Sequence, residues 1–143
     1  MPRPCYSTIF EQSPNHVWSI IRDFGHYSWA GVPGETVIEG SKSGDQVGCV
    51  RAFQLGDRLI RQRLLALSDH ERWFSYELCE PAHLPLRDYI AMLRVMPVID
   101  GDKAFVQWSA IFDCAEAEHD RWHAHFMTSF RAWLEALRDH ITQ

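Results

Sequence analysis

No stretch of this chain is apolar for long enough to cross a membrane as a helix. Residues 1–7 also lack the pattern of a secretion signal. Together these absences lead us to expect a cytoplasmic protein. There is no surplus of positive charge either. The 14 Lys and Arg are outnumbered by 19 Asp and Glu, for a net charge of -5 with the histidines neutral. That balance argues against nucleic acid or an anionic membrane as partner. The basic residues are scattered apart from Arg58, Arg61 and Arg63, which suit the solvated face of a strand better than a phosphate track. No Cys-x-x-Cys pair occurs among the four cysteines, Cys5, Cys49, Cys79 and Cys114. They fall in strand-like segments and read as reduced core thiols. Internal repeats and low-complexity runs are also missing, so one domain spanning residues 1–143 is expected.

What is present is a folding chain. Of 143 residues 46% are hydrophobic, and a chain of this length buries about 70% of its unfolded surface without a metal or disulfide. Residues 116–141 form the longest helical pattern, with no Gly or Pro inside it. Glu116 and Glu118 stand at its start, where the helix dipole favours negative charge. Trp122, Phe126, Phe130, Trp133, Leu137 and Ile141 recur at spacings of three and four and share one face. Arg131, Glu135, Arg138 and Asp139 fall largely on the other. So long an aromatic stripe needs a broad partner.

The strand-like sequence before it supplies one. Alternation predicts a strand over 6–11, and Ser13-Pro14 is a helix start, Ser as cap and Pro at the first position. A short helix runs from there to near Gly25, and a second short helix or turn covers 26–32, with Trp29 packed in the core. Six further strands are predicted over 36–40, 47–55, 59–67, 72–79, 87–96 and 103–114, joined by turns such as Gly56-Asp57 and Asp100-Gly101. This order implies an α+β fold in which a mostly antiparallel sheet of seven strands is covered on its concave face by the terminal helix.

Several segments in this order resemble a known family. Val47-Gly48-Cys49-Val50-Arg51 is similar to its Val-Gly-x-x-Arg on strand three, and residues 62–69, Gln-Arg-Leu-Leu-Ala-Leu-Ser-Asp, to its Glu-Arg-Leu-x-x-Leu-Asp-Asp. Tyr76 stands where it has an aromatic, and His83-Leu84-Pro85-Leu86-Arg87-Asp88-Tyr89 resembles its His-x-Leu-x-Asn-Tyr segment. The chain thus resembles the START-type helix-grip superfamily, also called SRPBCC. Within it the likeness is to the polyketide cyclase/dehydrase branch and, more locally, to the plant abscisic acid receptors. The resemblance implies a helix-grip fold: a curved seven-stranded antiparallel sheet wrapped around a long C-terminal helix, two short helices between strands 1 and 2, and a ligand cavity between sheet and helix. It also places Gln62, Tyr76 and Tyr89 on the cavity wall and His83 at the mouth. Gln62 stands where the family has Glu, and the receptors' gate loop has no counterpart beside the tight turn between Leu55 and Leu59. Hormone-gated capture of a phosphatase is therefore not implied.

Period-two parity extends that wall to the same-face neighbours of the matched residues. Arg51 and Phe53 go together, as do Ile60, Gln62 and Leu64, then Phe74, Tyr76 and Leu78, Tyr89, Ala91 and Leu93, and Trp108, Ala110 and Phe112. From the helix, Phe126 and Phe130 are expected to close the cavity, with Met127 beside them. This set is apolar and aromatic with a few polar tips, among them the Arg51 guanidinium, the Gln62 amide and the hydroxyls of Tyr76 and Tyr89. It suits a small, mostly apolar or amphipathic molecule, lipids included, carrying a polar or acidic group.

Binding or carriage of such a ligand is the leading expectation. A polyketide cyclase or dehydratase acting on a hydrophobic or aromatic substrate is the alternative. Catalysis has less to work with: Gln62 does not titrate, Arg51 stays protonated, and Glu77, Asp88 and Asp113 have outward parity. His119 and His123 lie one helical turn apart, but the pair lacks the Glu of a zincin and His125 points elsewhere. No metal or cofactor is therefore expected, no catalytic residue is assigned, and a homodimer is left open.

Overall fold

The computed structural model describes residues 1–142. Its strands are β1 (Cys5–Phe10), β2 (Val37–Ile38), β3 (Val50–Leu55), β4 (Arg58–Ser68), β5 (Trp73–Leu78), β6 (Arg87–Val98) and β7 (Lys103–Asp113), and its helices are α1 (Pro14–Ile21) and α2 (His119–Ile141). All seven strands join one antiparallel sheet in the order β1-β7-β6-β5-β4-β3-β2. This is the helix-grip arrangement: the sheet curves around α2, with short helical segments between β1 and β2.

Local chemistry places the boundaries. The Ser13 hydroxyl accepts from His16 N at 3.2 Å, and Pro14 opens α1, whose Val17, Trp18 and Ile21 are buried. The helix stops at Ile21, short of the expected Gly25, and the Asp23 carboxylate accepts from Gly25 N at 2.9 Å beyond its end. The second short helix is one 3-10 turn, Ser28–Ala30, closed by Gly31 at φ 77°. β3 starts at Val50, three residues later than expected. Gly48 lies at φ 93°, which breaks the extended run and leaves Val47 exposed.

The alternation predicted for the later strands is realised most cleanly in β7, where Ala104, Val106, Trp108, Ala110 and Phe112 all point into the core. β4 carries an irregularity between Leu64 and Ala66. Because it falls after Gln62, it leaves the parity of Ile60, Gln62 and Leu64 unchanged.

At about 1.5 Å per residue, the 23 residues of α2 run for about 35 Å. Its buried residues are Trp122, Phe126, Phe130, Leu134 and Leu137. Leu134 was absent from the expected stripe, whereas Trp133 and Ile141 are only partly buried. Close to the helix's C-terminus, Arg138 donates to Ile9 O at 3.0 Å and to Thr8 Oγ1 at 2.9 Å, and its guanidinium sits 4.5 Å from the centre of the Phe10 ring. The last turn is thereby tied to the edge strand β1. Cys49, Cys79 and Cys114 are buried thiols, but Cys5 is exposed and accepts from Gln107 Nε2 at 2.8 Å, which corrects the core reading for that residue. Among the described residues no helix is long and apolar enough to cross a membrane.

Candidate functional site

Between the sheet and α2 lies a cavity of 460 Å³. β3 and β4 contribute Phe53, Ile60 and Gln62, β5 and β6 contribute Leu78 and Tyr89, and α2 contributes His125, Phe126 and Trp133. Tyr27 and Val32 come from the segment around the 3-10 turn. The β3–β4 turn adds Leu55, Gly56, Asp57 and Arg58, and the loop before β6 adds Leu84. Leu55, Asp57, Arg58 and His125 are exposed, so this end is the mouth.

At the opposite wall a buried cation stands behind the lining. Arg51 is 1% exposed. Its Nε donates to Gln62 Oε1 at 2.7 Å and its Nη1 to Phe24 O at 3.4 Å, while Nη2 is buried without a partner among the described residues. The guanidinium carbon lies 3.9 Å from the centre of the Phe24 ring and 3.7 Å from that of Tyr27. Burial pushes the Arg51 pKa down, yet a guanidinium remains charged at neutral pH. The centre of the Tyr76 ring lies 5.1 Å from the guanidinium carbon, and cation–π contact with the three rings offsets part of the desolvation cost.

The tyrosines are held neutral by the same burial. It pushes the hydroxyls of Tyr27, Tyr76 and Tyr89 above their ordinary value, most strongly opposed at Tyr27 and Tyr76 by the nearby Arg51 charge. Trp108 Nε1 donates to the Tyr76 hydroxyl at 3.1 Å. This answers a polar group that would otherwise be orphaned deep in the core.

Of the residues expected on the wall, the cavity brings together Phe53, Ile60, Gln62, Leu78, Tyr89 and Phe126. Arg51, Leu64, Tyr76, Ala91, Trp108 and Phe130 are inward and buried but lie in packed core outside the lining. Side chains fill that region: the Phe130 ring is stacked on Trp108 at 5.6 Å with an interplanar angle of 8°. His83 also stands outside the lining. It adopts φ 59° with its side chain exposed, and only its carbonyl is engaged, accepting from Arg58 Nη1 at 3.4 Å.

Sequence reasoning passed over Tyr27, Leu55, Asp57, Arg58, Leu84 and His125. For His125 the usable signal was adjacency to Phe126. For the turn residues it was that a tight β3–β4 turn must end beside the strands carrying Phe53 and Gln62. His119 Nε2 lies 3.2 Å from Cys114 O. No group of three or more His, Cys, Asp or Glu among the described residues is placed to hold a metal.

A family model described as polyketide cyclase / dehydrase and lipid transport matches residues 6–142. No curated protein matches the chain. Among solved structures, a protein from Nitrosospira multiformis is 26% identical with a TM-score of 0.80, covering 98% of this chain and 96% of that one. A Thermobifida fusca protein is 23% identical with a TM-score of 0.87, covering 99% and 93%. Norcoclaurine synthase from Thalictrum flavum, in complex with dopamine and hydroxybenzaldehyde, is 14% identical with a TM-score of 0.75, covering 98% and 86%. At that identity the synthase shares the fold alone.

Proposed function

The chain belongs to the polyketide cyclase / dehydrase and lipid transport family, and from that membership we propose that it binds and carries a small, mostly apolar molecule bearing one polar or acidic group. One observation carries the reading: a 460 Å³ cavity walled by aromatic and aliphatic side chains, with the Gln62 amide and the Tyr27 and Tyr89 rings among them. That volume falls within the range of sites for small organic ligands. The apolar wall supplies affinity by excluding water, and the few polar tips orient the ligand.

A second reading, an enzyme of cyclase or dehydratase type, is favoured by His125. Its imidazole lines the mouth, and partial desolvation of the ring, aided by the Arg121 charge, holds its pKa below the ordinary value. It is then a neutral base at pH 7, able to accept a proton from a substrate carbon or hydroxyl. Turnover of a polyketone substrate, lost in His125→Ala, separates this reading from pure carriage.

The carrier reading is tested with the uncharged fluorophore phenylnaphthylamine. Saturable binding with enhanced emission is expected for the native chain. Ile60→Trp, which fills the cavity from β4, abolishes it while a cooperative melt is retained. Absence of saturable binding, or binding unchanged by Ile60→Trp, overturns the reading.

A further inference from the structure

Arg51 makes no ion pair with any carboxylate among the described residues. Its neighbours are three aromatic rings, those of Phe24, Tyr27 and Tyr76, a backbone carbonyl and the Gln62 amide. A positive charge left this way in a weakly polarisable wall is costly unless something answers it.

Gln62 connects that charge to the cavity. A guanidinium has only N–H donors, so the 2.7 Å contact with Arg51 Nε requires the Gln62 carbonyl oxygen on that side. The Gln62 amide nitrogen is therefore turned away from Arg51, whose own Nη2 is buried without a partner among the described residues. Gln62 lines the cavity and Arg51 does not. The cavity is thus offered an N–H donor polarised by a cation behind it. A neutral carbonyl there would gain a hydrogen bond. An anionic oxygen would gain the bond and the field of the guanidinium as well, in surroundings where that field is weakly screened.

We propose that the ligand of this cavity carries an anionic oxygen, as a carboxylate, sulfonate, phenolate or enolate, seated on the Gln62 amide nitrogen with Arg51 acting through Gln62 as a positioning and charge-supplying residue. The proposal rests on the reading of the cavity as a ligand site. Arg58, exposed at the mouth, lines the cavity directly and is an alternative source of anion preference.

The experiment titrates the protein with two matched fluorophores, phenylnaphthylamine and its sulfonate, anilinonaphthalene sulfonate. The native chain is expected to bind the sulfonate more tightly by about ten- to a hundredfold, the scale of one charge acting across a bridging amide in a partly screened interior. Arg51→Met removes that preference, and Gln62→Glu removes it by pairing the guanidinium internally; having two variants covers the case in which one folds poorly. The preference survives Arg58→Gln, whatever that does to the absolute affinities. It also survives about 1 M salt, which screens a surface cation far more than a buried one. Equal affinity for both dyes in the native chain overturns the proposal and leaves the cavity reading intact, as does a preference that persists in both Arg51→Met and Gln62→Glu or disappears in Arg58→Gln. Failure of both dyes to bind overturns the cavity reading, and the proposal with it.

Discussion

Truncating Phe130 to alanine locates the boundary between packed core and cavity. Phe130 is 0% exposed, outside the cavity lining, and stacked on Trp108 at 5.6 Å. Phe126 and Trp133 lie at 5.7 Å from it on either side along α2. Removing the ring forfeits about 2–3 kcal/mol of burial, plus about 0.5–1.5 kcal/mol for the well-formed stacked pair. It also leaves a new void that a sheet and helix in close contact cannot fully close. The expected cost is about 3–5 kcal/mol. At about 2–4 °C per kcal/mol, that lowers Tm by about 6–20 °C for a domain of this size. Phe126→Ala is the comparator. Phe126 is nearly as buried but faces the existing cavity, so its loss enlarges a void instead of creating one. Its expected cost is smaller, about 2–3 kcal/mol, chiefly the transfer term. Urea denaturation at matched m-values gives both numbers. A loss for Phe130→Ala below about 1 kcal/mol, or one smaller than that of Phe126→Ala, would refute the placement of Phe130 in the core and of Phe126 on the wall.

Gly44→Ala should destabilise the fold by about 1–3 kcal/mol, because an added Cβ collides with the Asp23 carboxylate and lies 2.8 Å from Gly25 N; an unchanged urea midpoint would show that the loop yields. The Asp69 carboxyl is held below its ordinary value chiefly by hydrogen bonds from Arg22 and also by Trp18 Nε1. The unfolded chain therefore takes up this proton first on acidification, so the contribution is complete above about pH 4 and is lost as pH falls through the folded-state value. Asp69→Asn should flatten the acid limb of the urea-midpoint profile, and a limb of unchanged slope would mean that solvent screens the pair to nothing.

Fold legibility came from two periodicities. Residues on one face of a strand keep that face across an antiparallel ladder, so Arg51, Phe53, Gln62, Leu64, Tyr76, Tyr89, Ala91 and Trp108 all point inward as parity required. The irregularity in β4 lies beyond Gln62 and did not break the series. The helical stripe was right in Trp122, Phe126, Phe130 and Leu137 and missed Leu134, because a spacing of three from Phe130 to Trp133 competes with a spacing of four to Leu134. Which of the two lies deeper depends on where the sheet sits.

By itself, then, the chain's patterning determined the α+β order of elements, the antiparallel pairing, the inward face of each long strand and the need to cover α2. These follow from local geometry repeated at periods of 2 and about 3.6 residues. Tertiary structure alone decided which inward residues meet a void. Phe126 and Trp133 border the cavity, whereas Phe130, between them on the helix, closes on Trp108. It also decided that the β3–β4 turn and His125 form the mouth, that His83 faces solvent, and that Arg51 points between Phe24 and Tyr27 with Gln62 ahead of it. These placements depend on side-chain direction and on contacts between segments distant in the chain. No periodicity encodes either.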